Sequence, residues 1–157
     1  MNSEQRIHSD AVTISIREGI AQNIIDVLGD QGTQPRFQYV TREPFDFNKL
    51  SNAQFPAVLV RSSSEVREDQ TIGARKTRRS GTIDYQLVCY VKDQVIDTAR
   101  NEVVQLVEER LDIDRTRGGL ALNTQVLSIE TDDGSIDPVG GVIITVTCSY
   151  QYIRGTT

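Results

Sequence analysis

The chain has 157 residues, 38% of them hydrophobic and 25% charged, with a formal net charge of −5. That length can bury a core in one domain without disulfides or metals, and the composition lies far from the weakly hydrophobic, highly charged range of disordered chains. No apolar run approaches the roughly 20 residues of a membrane-spanning helix, and the start, MNSEQRIHSD, lacks the apolar centre of a signal peptide. A soluble protein with one domain over 1–157, a flexible segment 1–9 and a cytoplasmic origin is therefore expected.

From the N-terminus, Ser9 or Asp10 can cap a helix whose apolar positions Val12, Ile16, Ile20, Ile24, Val27 and Leu28 share one face, and Gly29 ends it. This predicts a first helix from about residue 10 to about 28. FQYVTR is a short strand candidate. In the following EPFDFNKLSNAQFP, Pro44 and Pro56 forbid regular central-strand pairing. That linker is too apolar for a free loop, and Phe45, Phe47, Leu50 and Phe55 suit it to lie across the domain or across a neighbouring subunit. Ala57 to Val60 reads as a buried strand.

Next comes RSSSEVREDQTIGARKTRRS, residues 61–80, where the charge changes sign. Its six cations (Arg61, Arg67, Arg75, Lys76, Arg78, Arg79) against three anions (Glu65, Glu68, Asp69) give +3, while the rest of the chain has 11 cations against 19 anions, or −8. A basic segment on an acidic scaffold suits contact with phosphate or an acidic protein face, and equally a solvated hairpin tip. It has no aromatic residue to stack on a base, so base recognition is not expected.

The alternation Ile83, Tyr85, Leu87, Cys89, Val91 predicts a long strand with one face inward, its other face partly covered at Val88 and Tyr90. A second helix is expected from about Val95 to Leu111, with Ala99, Val103, Leu106, Val107 and Leu111 as its stripe and an acidic outer face. RTRGGLALN is a loop, and Gln125–Thr131 a strand. DDGSIDPVGG reads as a turn. The last strand is the clearest, with Val142, Ile144, Val146, Cys148, Tyr150 and Tyr152 on one face. The order α-β-β-β-α-β-β predicts an α+β fold, a mainly antiparallel sheet with both helices on one face and 61–80 as an extended hairpin.

Nothing in the sequence assembles a catalytic constellation. The only histidine, His8, has no nucleophile partner and no set of metal ligands, and Cys89 and Cys148 read as buried free thiols. The pairs Gly118–Gly119 and Gly140–Gly141 lack the residues of a phosphate or dinucleotide loop. Asp132-Asp133-Gly134 is turn chemistry without the Glu of a calcium loop. No catalytic, cofactor or metal residue is assigned, and a binding or structural role is expected.

The strings REPF, FPAVLV, GTIDYQLVCYV, EERLDID, GGLALNTQVLSIETDDG and GVIITVTCSYQY, in this order after an amphipathic helix, resemble the tail-terminator (tail-completion) proteins of tailed bacteriophages over residues 10–154. The likeness lies in pattern, with no invariant motif. It implies a virion protein of the tail or neck, assembled in the host cytoplasm. Such a subunit forms a hexameric ring that caps the tail tube and meets the neck, with DNA passing through the channel. The implied partners are further copies of the chain, the tail-tube protein and a neck or connector protein. On this reading Arg61, Arg67, Arg75, Lys76, Arg78 and Arg79 contact the lumen or a partner, and Phe45, Phe47, Leu50 and Phe55 are interface candidates. The alternatives are another head–tail connector, a stopper or adaptor, and a nucleic-acid-binding module without sequence preference.

Overall fold

A computed structural model of the protein describes residues 14–70 and 77–154. Helix α1 spans Ile16–Leu28 and helix α2 Ile96–Asp112. The strands are β1 (Tyr39–Thr41), β2 (Ala57–Asp69), β3 (Arg78–Lys92), β4 (Asn123–Thr131) and β5 (Val139–Ile153). They form one sheet in the order β1-β2-β3-β5-β4, antiparallel at every pairing except β1 with β2. This is the α+β fold and element order expected. The parallel pairing of β1 was not foreseen: residues 42–56 form a crossover long enough to return the chain in the same direction.

Helix α1 starts later than the apolar spacing suggests. Ile14 and Ser15 are outside it, and Ser15 caps it by accepting a hydrogen bond from the Glu18 amide at 3.2 Å. The alternative caps Ser9 and Asp10, like His8, lie outside the described residues. Ser15 and Glu18 have capping-box spacing, but the Glu18 carboxylate is engaged by Arg42 at 2.5 and 3.0 Å, tying the start of α1 to the chain just past β1. Helix α2 has the expected stripe, and Ala99, Val103, Leu106, Val107 and Leu111 are all buried.

The core lies between the two helices and one face of the sheet. Ile20, Ile24 and Leu28 of α1 and the α2 stripe meet Val58, Val60, Ile83, Leu87, Cys89, Ile144, Val146 and Cys148. Each such aliphatic side chain contributes about 1.5–3 kcal/mol by its burial. Both cysteines are free and buried, and burial pushes their thiol pKa values up. No helix among the described residues is long and apolar enough to cross a membrane.

Two loops are fixed by polar side chains. Asp132 accepts from the amides of Gly134 (2.8 Å) and Gly141 (2.7 Å) and from Arg100 (2.5 Å), so the 132–134 segment is a turn that also ties α2 to the sheet. After α2, the side chain of Arg117 folds inward and its guanidinium donates to the carbonyls of Leu111 and Asp114, capping the helix end. Arg117 is fully buried and has φ +49°, a position read from the sequence as ordinary loop.

Candidate interaction surface

Beyond the helices, β2 and β3 continue as a hairpin whose two strands pair as far as Asp69 opposite Arg79. It is extended, as expected. β5 runs alongside it to Ile153 opposite Arg78, so the extension is three strands wide along most of its length. One irregularity decides its chemistry. The register of β2 on β3 shifts between Ser62 and Ser64, a bulge that leaves Ser63 unpaired. Before it, Val58, Val60 and Ser62 face the helices. After it the parity changes, and Glu65, Arg67 and Asp69 take that face.

The bulge puts these charges beside two tyrosines. Tyr150 on β5 lies opposite Gly81 on β3, and any side chain at 81 would collide with its ring. The bare glycine lets the phenol cross β3 and donate its hydrogen bond to Glu65 on β2. Burial and this contact push the Tyr150 pKa up to about 12. Glu65, with its side chain 10% exposed, also binds Arg17 of α1 and Arg67, both at 3.1 Å. One carboxylate therefore joins helix α1, the hairpin and the end of β5.

The second tyrosine organises the rest. Tyr152 stacks on Tyr150 with ring centroids 5.7 Å apart, and the guanidinium groups of Arg67 and Arg79 lie 5.2 and 5.9 Å from its ring centre. Arg67 also donates to the Tyr152 hydroxyl at 3.4 Å. Arg79 approaches Asp69 at 2.7 Å, an ion pair whose N–H is not aligned as a hydrogen bond. On the opposite face, Arg61 donates to the Gln86 amide oxygen at 2.9 and 2.6 Å.

The expected contact residues thus divide. Arg61, Arg67 and Arg79 are committed to partners within the chain. Arg78 lies opposite Ile153 at the far end of the pairing, and its carbonyl accepts from the Gln70 amide at 2.8 Å. Arg75 and Lys76 lie outside the described residues. Glu65, Arg17, Tyr150 and Tyr152 were not among the contact residues expected from the sequence, although Glu65-x-Arg67-x-Asp69, alternating in sign at strand spacing, is the mark such a network leaves.

The linker residues have a different fate. Phe45 packs edge-on against Tyr39 (5.2 Å) and Tyr90 (5.7 Å), and Phe47 stacks on Tyr90 at 5.0 Å. Phe55 lies under the Lys92 ammonium, which donates to Asn52 at 2.8 Å. Two short 3-10 turns, Phe47–Lys49 and Asn52–Gln54, shape the path. The linker therefore crosses its own sheet, on the face away from the helices. Phe45, Phe47, Leu50 and Phe55 stay half-buried, so part of this layer remains exposed in the single chain.

A cleft of about 530 Å³ opens between α2 and residues 34–38, with Val103, Leu106 and Phe55 in its wall and Arg36, Lys92 and Glu109 among its polar groups. Its mixed lining selects no single ligand chemistry. No protein-family model matches the chain, and no curated protein matches it in sequence.

Proposed function

We propose that the protein is a structural, non-catalytic subunit of a bacteriophage tail or neck: a tail terminator that forms a hexameric ring, caps the tail tube and joins it to the neck. The observation that carries this reading is the ordered set of strings over residues 10–154 that resemble tail-terminator proteins. The braced hairpin supports it. An extension held by Glu65, Tyr150 and Tyr152 is suited to bearing load against an adjoining ring, where a loose loop is not.

The same bracing weakens the nucleic-acid alternative. Arg67 and Arg79 direct their guanidinium groups at Glu65, Asp69 and Tyr152, so a phosphate backbone would compete with contacts already made. Light scattering on the eluting protein, with negative-stain imaging, tests the assembly and is expected to show a closed ring with a central hole. A monomer at all concentrations, even beside tail-tube protein, overturns the reading. Pull-down against tube and portal-side proteins separates a terminator from a stopper or adaptor. The double variant Arg75→Ala/Lys76→Ala is expected to fold and form rings yet fail to complete tails.

A further inference from the structure

The sheet has two open edges of opposite character. On one side, β1 covers β2 only at Ala57–Leu59 and, among the described residues, no strand pairs with that edge of Val60–Asp69. On the other, β4 is the outermost strand among the described residues along all nine of its positions. Open edges in natural proteins are usually guarded by charge or proline. β4, NTQVLSIET, has Glu130 as its one ionisable residue, no proline, and a single bulge that skips Leu127. It also exposes Leu127 (58%) and Ile129 (44%), with Leu122 (58%) just before the strand and Ile113 (75%) just past α2. The β2 edge has ionisable side chains at Arg61, Glu65, Arg67, Glu68 and Asp69, but all except Glu68 have the partners described above. Covering that edge would leave few charges newly unpaired.

The two edges also fit each other. β2 is antiparallel to β3, β3 to β5 and β5 to β4, so β2 and β4 of one chain run in opposite directions. A rotation about an axis along the strands preserves those directions. β4 of one copy would then meet β2 of the next as an antiparallel pair, in a head-to-tail contact that can close. The registers match in height. Gln125 is level with Ser64 through Thr147 and Asp84, and Ser128 with Arg61 through Thr145 and Gln86.

We infer that the β4 edge receives the open edge of β2 from a second copy of this chain. Asn123–Ser128 would lie along Arg61–Val66, so that the sheet runs on from subunit to subunit. This rests on the ring reading above and names the surface that would build the ring. The direct test is cross-linking of the full chain carrying Gln125→Cys and Ser64→Cys, since Cys89 and Cys148 are fully buried and will not compete. Oxidation is expected to give a ladder of covalent oligomers. Leu127→Lys is expected to keep the fold and weaken assembly about tenfold or more.

If wild-type protein forms rings, but the double-cysteine chain gives no ladder and Leu127→Lys assembles normally, the inference is overturned and the ring reading stands. Covalent dimers from Gln125→Cys alone would assign β4 to a symmetric β4–β4 contact and overturn it equally. Wild-type protein that stays monomeric overturns both.

Discussion

The two halves of the β3–β5 pair are held in different ways. Over Ile83–Val91 and Val142–Cys148 the inner face is mostly aliphatic, with Tyr85 as its one ring, and lies under the helices. From Gly81 outward the same face carries tyrosines, guanidinium groups and carboxylates. The aliphatic half is fastened by water exclusion and close packing, which hardly respond to salt. The outer half is fastened by charge-assisted hydrogen bonds and ring contacts at the edge of solvent, which do. A strand pair can therefore outrun the helices that cover it, provided its side chains supply another adhesive.

Substitutions should separate the two halves, and the largest effect belongs to the covered one. Ile144→Ala, at a fully buried site, is expected to destabilise the whole protein by about 3 kcal/mol, lowering the melting temperature by roughly 10 °C in calorimetry. Glu65→Ala should cost about 2 kcal/mol, below the range for a fully buried pair because Arg17 and Arg67 both reach water. Hydrogen exchange should place that loss in 61–69 and 78–82, while amides of α2 keep their protection. An even loss across the body would instead make the hairpin part of the core.

Tyr152→Leu removes the ring shared by Arg67 and Arg79 and should cost about 1 kcal/mol. Its cost should shrink in 1 M NaCl in chemical denaturation, whereas that of Ile144→Ala should not. The smallest effect tests whether the covered half is free of ionic support. Hydrogen bonds from Thr116 and the Gly118 amide lower the pKa of Asp114, beside the end of α2, from 3.8 to about 2. A depressed carboxyl pKa stabilises the fold fully above the unfolded value and loses that contribution as pH falls through the folded one. The melting-temperature gap between wild type and Asp114→Asn should therefore close between pH 3.8 and about 2.

The covered half was also the legible half. The stripe Ala99-Val103-Leu106-Val107-Leu111 and the alternation through β5 are local periodicities, and each led directly to its buried face. The extended hairpin was legible too, from strand patterns on both sides of a polar segment. Its internal pairing was not, because the faces taken by Glu65, Arg67 and Asp69 depend on the bulge. Skipping any one of Ser62, Ser63 and Ser64 gives Glu65 the same face, but nothing in this run, which has no glycine, marks that a residue is skipped at all.

Other misses have the same cause. Arg117 looks like any loop arginine until α2 ends beside it and offers its carbonyls. The late start of α1 turns on Ser15 as its cap, a choice that apolar spacing does not encode. The linker aromatics could be assigned to a packed layer, but whether that layer was their own sheet depended on the long-range contact with Tyr90.

The bulge at Ser63 sets a rule for how the hairpin can change length. Deleting that one residue would remove the bulge yet keep Glu65 opposite Ile83 and Arg67 opposite Gly81, whereas a one-residue deletion between Ser64 and Glu65 that kept the bulge would turn Glu65, Arg67 and Asp69 to the far face and leave Tyr150 without an acceptor. Two residues added to each strand beyond Asp69 and before Arg78 would leave every one of those contacts in place. Length changes should accordingly be tolerated in paired steps of two beyond Asp69 and before Arg78, and at the three serines only as the loss of the one skipped residue.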